Sequence, residues 1–235
     1  MPPAMLLQQE LSIHTPDRPT VCTIGVFDGV HRGHHALLRE TVAAARKQNA
    51  LSAVLVFHPH PRTVLSPGAV VPLLTSLDER LELIRARGID LAIPVSFTRE
   101  LSQLSAEEFI VILKENLRLA GLVAGPDFAL GKGRQGTVPV LQQLGARLGF
   151  TVTVIAPQDM DGQPVSSTSV RRALADGDVR AVSILLDRPF ATAGAVASIL
   201  RRRQAAGGFC RACESGTGLD AASTGPDRPD SPRKL

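Results

Sequence analysis

The sequence contains no tryptophan and no tyrosine, and aromatic residues make up only 3% of its 235 positions. Proteins that bind single-stranded nucleic acid stack bases on aromatic side chains, so this shortage argues against that class. No apolar run approaches the roughly 18 residues needed to cross a membrane. The first residues, 1–7, lack the basic start and long apolar stretch of a secretory signal. We therefore expect a cytoplasmic protein that binds neither nucleic acid nor membrane.

Cysteines are also few. Cys22, Cys210 and Cys213 offer no disulfide framework, and the Cys210-x-x-Cys213 pattern has no second pair with which to bind zinc. The basic excess is concentrated at one end, because residues 200–235 hold seven of the 26 Arg and Lys but only four of the 22 Asp and Glu. The remaining residues are nearly neutral, so the pI of about 9.4 does not indicate a nucleic-acid partner.

Apolar runs alternate with helical patterns along most of the chain, which predicts an α/β fold with a parallel sheet and helices on both of its faces. In such a sheet, ligands bind beyond the carboxyl ends of the strands, and the loops richest in polar and glycine residues follow the first, second, fourth and fifth strands. The predicted strands are 21–26, 51–57, 90–95, 121–125 and 151–156, and the predicted helices are 34–47, 77–87, 105–117 and 137–148.

The first of these loops joins a strand to a helix through a glycine-containing turn that carries His31 and His34. The first N–H groups of a helix and the positive end of its dipole attract phosphates. Two imidazoles there would add donors where charge develops during phosphoryl or nucleotidyl transfer. A zinc pair is the alternative interpretation, but no third ligand has suitable spacing.

Three further loops fit the same edge of the sheet. His58 and His60 alternate on an extended segment, so at most one of them should face a site there. The glycine-rich loop 125–136 carries Lys132 and Arg134 but is not a P-loop, and it either approaches a ligand or is a mobile surface loop. Hydroxyl residues and an arginine in 166–171 favour a second phosphate site over simple helix capping.

Together, four segments resemble the FMN adenylyltransferase module of prokaryotic FAD synthetases. In order, they are Gly25–His34, Phe57–Pro61, Gly125–Phe128 with Gly131 and Gly136, and Ser166–Arg171. The H-x-G-H pattern alone is shared by the wider nucleotidyltransferase superfamily, whereas the set of four is more specific. The resemblance covers about residues 15–190 and implies the Rossmann-like parallel sheet of that superfamily.

The resemblance implies transfer of AMP from ATP to FMN, which gives FAD and pyrophosphate, with Mg²⁺ accompanying ATP. It assigns catalysis to His31 and His34 and names no metal-binding side chain. His58, Ala129 and Leu130 depart from the usual family pattern, which leaves their effect on FMN affinity open. The implied ATP-binding positions are Gly25, Phe27, Asp28, Gly29, Ser167, Thr168 and Arg171, and the implied FMN-binding positions are Pro59, Pro61, Leu65 and Asp127.

The likeness fades towards the C-terminus. We expect an adenylyltransferase domain over residues 1–186, a remnant of the start of a riboflavin kinase domain over 187–199, and a disordered tail over 200–235. The tail is too short for a barrel domain that has no disulfide or metal to stabilise it, so no riboflavin kinase activity is expected. A separate kinase would supply FMN. Two other functions stay open: a related nucleotidyltransferase with another phosphorylated acceptor, and a nucleotide- or flavin-binding relic without turnover.

Overall fold

The computed structural model describes residues 3–157, 159–160 and 163–191. Residues 1–187 form one compact unit, which contains the elements and contacts discussed below, and residues 188–235 group separately. The predicted tail over 200–235, with Cys210 and Cys213, lies outside the described residues, as does most of the segment 187–199.

A five-stranded parallel sheet forms the centre of the first unit. In chain order the strands are β1 (Thr20–Gly25), β2 (Leu51–His58), β3 (Leu91–Ser96), β4 (Leu119–Ala124), β5 (Ala129–Leu130), β6 (Gly136–Thr137), β7 (Thr151–Val154), β8 (Asp159–Met160) and β9 (Gln163–Pro164). The parallel sheet has the order β3-β2-β1-β4-β7, while β5 pairs with β6 and β8 with β9 as short antiparallel ribbons. The order reverses at β1, and such a reversal opens a crevice at the carboxyl ends of the strands.

Helices connect the strands and cover both faces of the sheet, as the sequence predicts. They are α1 (Pro3–Ser12), α2 (Arg32–Lys47), α3 (Pro61–Leu65), α4 (Leu77–Arg85), α5 (Ala106–Leu117), α6 (Val138–Leu148), α7 (Ser167–Ala175) and α8 (Val179–Leu186). Within the described residues, no helix is long and apolar enough to span a bilayer.

Two apolar cores lie on opposite sides of the sheet. On one side Leu11 of α1, Ile110 of α5 and Leu141 of α6 pack against alternate sheet residues such as Leu55. On the other side α2 and α4 pack against the intervening residues of the same strands, including Val54 and Val56. Side chains of a strand alternate between the two faces, so the continuous apolar runs in the sequence supply both cores.

The five predicted sheet strands and the four predicted helices are confirmed, with boundaries that differ by one or two residues at most ends. Three helices were missed. α1 presents little beyond Leu7 and Leu11 to its core, α3 has only five residues, and α8 lies where the helical pattern was not followed. The five residues of α3 and the eight of α8 give too few repeats for periodicity to be recognised, and tertiary packing stabilises these helices instead.

Candidate active site

The turn between β1 and α2 has an unusual backbone. Phe27 and Val30 have φ values of +54° and +39°, and Gly29 has a φ of +80°. The positive φ of Gly29 favours glycine, and a Cβ added there would lie 2.7 Å from Cδ1 of Leu74, which would have to shift. Phe27 and Val30 are buried, and their packing holds a backbone that side chains otherwise disfavour. The turn therefore has one fixed shape.

His31 and His34 lie together at the start of α2. Their rings stack with centroids 3.7 Å apart, and the ring of Phe27 lies 4.9 Å from that of His34. His31 occupies the N-cap position, and the first turn of α2, which is fully described, contains no carboxylate. The positive end of the helix dipole therefore lies beside two imidazoles with no acidic residue in the first turn, an arrangement that favours an anion.

The charge of His34 is set by its surroundings. Burial lowers the pKa of His34 well below its ordinary value of 6.5, and the nearby positive charges of His31, His35 and Arg80 lower it further. Its buried Nδ1 accepts or donates no hydrogen bond within the described residues. His34 is consequently neutral near pH 7, where it can act as a hydrogen-bond donor through a ring N–H but not as a fixed cation.

Asp28 is the centre of a buried polar network under this turn. Its side chain is 2% exposed and ion-pairs with both Arg80, at 3.6 Å, and Arg171. Its carboxylate also accepts hydrogen bonds from the backbone N–H groups of Leu74, at 3.0 Å, and Thr75, at 3.2 Å. The Asp28 carboxylate thus joins the β1–α2 turn to the segment before α4 and to α7.

Arg80 is a functional candidate that sequence reasoning missed. It is 1% exposed, and its two terminal nitrogens donate to the carbonyls of Val26, at 2.9 Å, and Thr75, at 3.1 Å. Burial lowers its pKa, while Asp28 opposes that shift. The missed signal is a position: Arg80 follows Leu77 by three residues and precedes Ile84 by four, which puts a charge on the apolar face of α4.

The helix α7 carries the predicted second phosphate site. Ser166 and Ser169 form a capping box, so capping accounts for these two hydroxyls. Ser167 donates to the carbonyl of Asp28 at 2.8 Å, and Nε of Arg171 donates to the carbonyl of Pro72 at 2.8 Å. Thr168 is exposed, and its hydroxyl forms no hydrogen bond with the described part of the chain. Ser167 and Arg171 are thus engaged in the ligand-free protein, and Thr168 is available.

The loop after β4 is a small hairpin attached to α5. A Cβ added at Gly131 would lie 2.5 Å from the nitrogen of Ala106, and one at Gly136 would lie 2.5 Å from its Cβ. Lys132 also donates its N–H to the carbonyl of Leu104 at 2.7 Å. The close approach that Gly131 and Gly136 permit is to α5, and approach of this loop to a ligand stays a prediction. Asp127 is exposed on this loop.

The two histidines of the segment after β2, His58 and His60, have different surroundings. Nδ1 of His60 accepts from the N–H of Arg62 at 3.1 Å and caps α3, and the charge of Arg171 contributes to lowering its pKa after burial. His58 instead lines a cavity of about 220 Å³ beside Glu10 and His14. The charges of Arg171 and Asp28 both act on the pKa of His60, which places this side chain within electrostatic reach of that pair. Pro59 and Leu65 of this segment are exposed, and Pro61 begins α3.

Comparison with known proteins identifies the family of this chain. The FAD synthetase family matches residues 13–169, about two thirds of the chain.

The chain belongs to the FAD synthetase family. A bifunctional riboflavin kinase/FMN adenylyltransferase of Escherichia coli K12 is 39% identical over 77% of the chain, and one of Pseudomonas fluorescens is 39% identical over 76%. One of Listeria monocytogenes is 35% identical over 75%. The chain spans about 58% of the length of the first two relatives and 56% of the third.

A solved structure shares the fold of this FAD synthetase family member. A crystal structure described as a macrolide-efflux protein from Streptococcus pneumoniae superposes with a TM-score of 0.69 and 26% identity, and covers 75% of this chain and 67% of its own. The superposition supports the order and layering of the sheet and helices described above.

Within this family member, the structure brings together most of the predicted ATP-binding positions. Gly25, Phe27, Asp28 and Gly29 lie on the turn that carries the histidines, and Ser167 and Arg171 contact Asp28. The N–H of Gly29 donates to the hydroxyl of Thr75 at 3.0 Å, and Asp28 is buried. Gly29 and Asp28 therefore shape the turn, and any contact of these two residues with nucleotide stays a prediction.

Proposed function

We propose that this chain transfers the adenylyl group of ATP to the phosphate of FMN, forming FAD and pyrophosphate. The observation that carries the proposal is the stacked His31–His34 pair at a helix start free of carboxylates, tied through Asp28 to Ser167 and Arg171. Membership of the FAD synthetase family supports the same assignment. The compartment that we propose is the cytoplasm, with FMN supplied by a separate riboflavin kinase.

The reaction needs no covalent enzyme intermediate. An oxygen of the FMN phosphate attacks the α-phosphorus of ATP, a new P–O bond forms, and the bond from that phosphorus to the bridging oxygen breaks as pyrophosphate leaves. Negative charge builds up on the phosphoryl oxygens during this in-line transfer. The enzyme therefore accelerates the reaction by holding both substrates in line and by placing donors against that charge.

In this mechanism His31 and His34 donate hydrogen bonds to the phosphates of ATP. His34 acts as a neutral donor, since burial lowers its pKa. Arg171 supplies positive charge and Thr168 a free hydroxyl at the start of α7. Pro59, Pro61, Leu65 and Asp127 remain the proposed FMN-binding positions. The loops that carry them follow β2 and β4, which are neighbours of β1 in the sheet.

We propose that Mg²⁺ arrives as part of its ATP complex. No group of three or more His, Cys, Asp or Glu side chains in the described residues is arranged to hold a metal ion. Asp28, the carboxylate nearest the histidines in sequence, is buried and paired with two arginines. These residues fit a cation that is held mainly by substrate phosphates and water, which is the usual manner for Mg²⁺.

The test is an assay of the purified chain with Mg²⁺-ATP and FMN, followed by chromatography for FAD. We expect FAD to form, and His31→Gln and His34→Gln each to lower kcat on the order of 100-fold, the loss typical of one transition-state donor. His14→Gln, a histidine outside the site, should leave the rate unchanged.

Three results would contradict the proposal. FMN or ATP binding without any FAD would favour a binding protein, and activity with another phosphorylated acceptor but not with FMN would favour a related nucleotidyltransferase. FAD formation that His31→Gln and His34→Gln leave intact would show that the reaction takes place elsewhere.

A further inference from the structure

A second cluster of positive charge begins at Arg32, next to His31, and continues along α2. Arg32, His35, Arg39 and Arg46 follow one another at helical spacing, and Arg87 after α4 joins them across two adjoining cavities. The cavities have volumes of about 300 and 400 Å³ and share His35, Arg39 and Arg87 in their walls. None of the proposed catalytic, ATP-binding or FMN-binding residues lines either cavity.

Two carboxylates of the chain, Asp159 and Asp187, also line the first cavity, and that of Asp187 lies among its nitrogen groups. Oδ1 of Asp187 lies 3.3 Å from Nη2 of Arg32, and Oδ2 lies 3.7 Å from Nδ1 of His35 and 3.9 Å from Nη2 of Arg87. Three nitrogen groups thus converge on one oxyanion from different directions. The contacts with His35 and Arg87 exceed hydrogen-bond length and are electrostatic.

The second cavity continues the positive surface without a compensating acid. Its walls, formed by described residues, include Arg39 and Arg46 and no Asp or Glu. The guanidinium groups of these two arginines form no hydrogen bond or ion pair with the part of the chain that the structure describes. Positive charge in a concave surface concentrates anions, and free guanidinium groups bind phosphate oxygens well.

We propose that this groove binds a small anion with two or more phosphoryl groups, and that Asp187 is its internal competitor. One phosphoryl group, with three terminal oxygens, replaces the Asp187 carboxylate between Arg32, His35 and Arg87. The next lies against Arg39. The proposal does not depend on the proposed catalytic function, since it rests on other residues and is tested by binding alone.

The experiment titrates inorganic pyrophosphate into the full chain by calorimetry, without ATP or FMN. In the double variant Arg39→Ser/Arg87→Ser, one binding component should weaken. The Kd of that component should rise at least about tenfold, the ratio that 1.4 kcal/mol represents. Arg85→Ser/Arg99→Ser removes two exposed arginines outside the groove and should bind like the parent. Orthophosphate and ATP are titrated in parallel to distinguish a single phosphoryl group from a nucleotide as the preferred ligand.

The variant Asp187→Asn tests the competitor role of Asp187 independently. Removing the internal competitor should tighten pyrophosphate binding several-fold, whereas a purely structural ion pair would lower Tm and leave binding unchanged. Equal affinity and stoichiometry in the parent and in Arg39→Ser/Arg87→Ser would overturn the site. Unchanged or weaker binding in Asp187→Asn would overturn the competitor role of this carboxylate. Melting curves of each variant confirm that it is folded.

Discussion

At the scale of single residues, the decisive feature is how charge is distributed beneath the histidine turn. Asp28 is shared between Arg80 and Arg171, so one carboxylate neutralises part of two guanidinium groups. His34 is held neutral above them because burial and its positive neighbours lower its pKa. Two guanidinium groups that share one carboxylate leave an excess of positive charge beside a neutral imidazole, which suits a polyanionic substrate.

The first prediction concerns the buried carboxylate. Asp28→Asn leaves Arg80 buried without its counter-charge, and breaking such a pair costs about 3–5 kcal/mol of unfolding free energy. Urea unfolding measures the loss. Asp17→Asn, which removes a carboxylate that is 90% exposed, should have no measurable effect. If the two variants prove equally stable, Asp28 does not anchor the turn.

The second prediction is a pH dependence of stability. The folded pKa of His34 lies below its unfolded value of 6.5, so the unfolded chain binds a proton first as the pH falls. The stabilising contribution of neutral His34 is complete above pH 6.5 and decreases as the pH falls from there towards the folded pKa. The melting temperature should therefore fall as the pH is lowered from about 7.5 to about 5.

A variant isolates the contribution of this histidine. His34→Gln removes the titrating group, so its melting temperature should change less over the same pH range. His14→Gln is the comparison at a histidine outside the site: burial also lowers the pKa of His14, so this variant should flatten the slope as well, but less than His34→Gln. An identical pH slope in His34→Gln and the parent would show that His34 does not titrate differently on folding.

At the scale of elements, α5 and α7 begin with the same type of cap but present different side chains from their first turns. Ser166 caps α7, which carries Ser167, Thr168 and Arg171, and Ser105 caps α5 through an equivalent capping box. Either cap satisfies backbone N–H groups at the helix start and is worth about 1 kcal/mol. Only α7 presents predicted ATP-binding side chains from its first turns.

The third prediction compares these two caps. Ser166→Ala and Ser105→Ala should each lower the unfolding free energy by about 1 kcal/mol. Ser166→Ala should also raise KM for ATP, because fraying of the first turn of α7 displaces Thr168 and Arg171. Steady-state kinetics of FAD formation and urea unfolding separate the two effects. A KM for ATP that rises equally in both variants would indicate a general loss of stability instead.

At the scale of the whole molecule, α1 and the sheet belong to one core. Leu7 and Leu11 of α1 are 1% and 0% exposed and lie in the same apolar cluster as α5 and the sheet. The strand order brings the loops after β1, β2, β4 and β7 to one edge, although they are separated by more than a hundred positions along the chain. The site therefore depends on the assembly of the whole sheet.

The fourth prediction tests that α1 is part of this cooperative unit. Leu11→Ala removes a fully buried side chain and should cost about 2–5 kcal/mol. Ile13→Ala, at a side chain that is 80% exposed, should be close to neutral. Thermal unfolding followed by circular dichroism should retain a single transition in both variants. A Leu11→Ala protein as stable as the parent would place α1 outside the core.

The sequence predicted the sheet, its parallel arrangement and the place of the histidine turn, because these depend on local patterns. Apolar runs specify buried strands, and a glycine turn before an amphipathic helix specifies the helix start. It did not predict the buried Arg80, nor that Gly131 and Gly136 pack against Ala106. Each of these outcomes depends on partners distant in the chain.

By itself, then, the sequence determined the α/β fold and the residue types at the edge of the sheet, since hydrophobic periodicity and motif spacing are encoded along the chain. Only the tertiary structure decided which of those residues face one another. Asp28 meets Arg80 and Arg171 across 52 and 143 positions of sequence, and Asp187 meets Arg32 across 155. Contacts over such separations arise from packing of the sheet and helices, which no local pattern records.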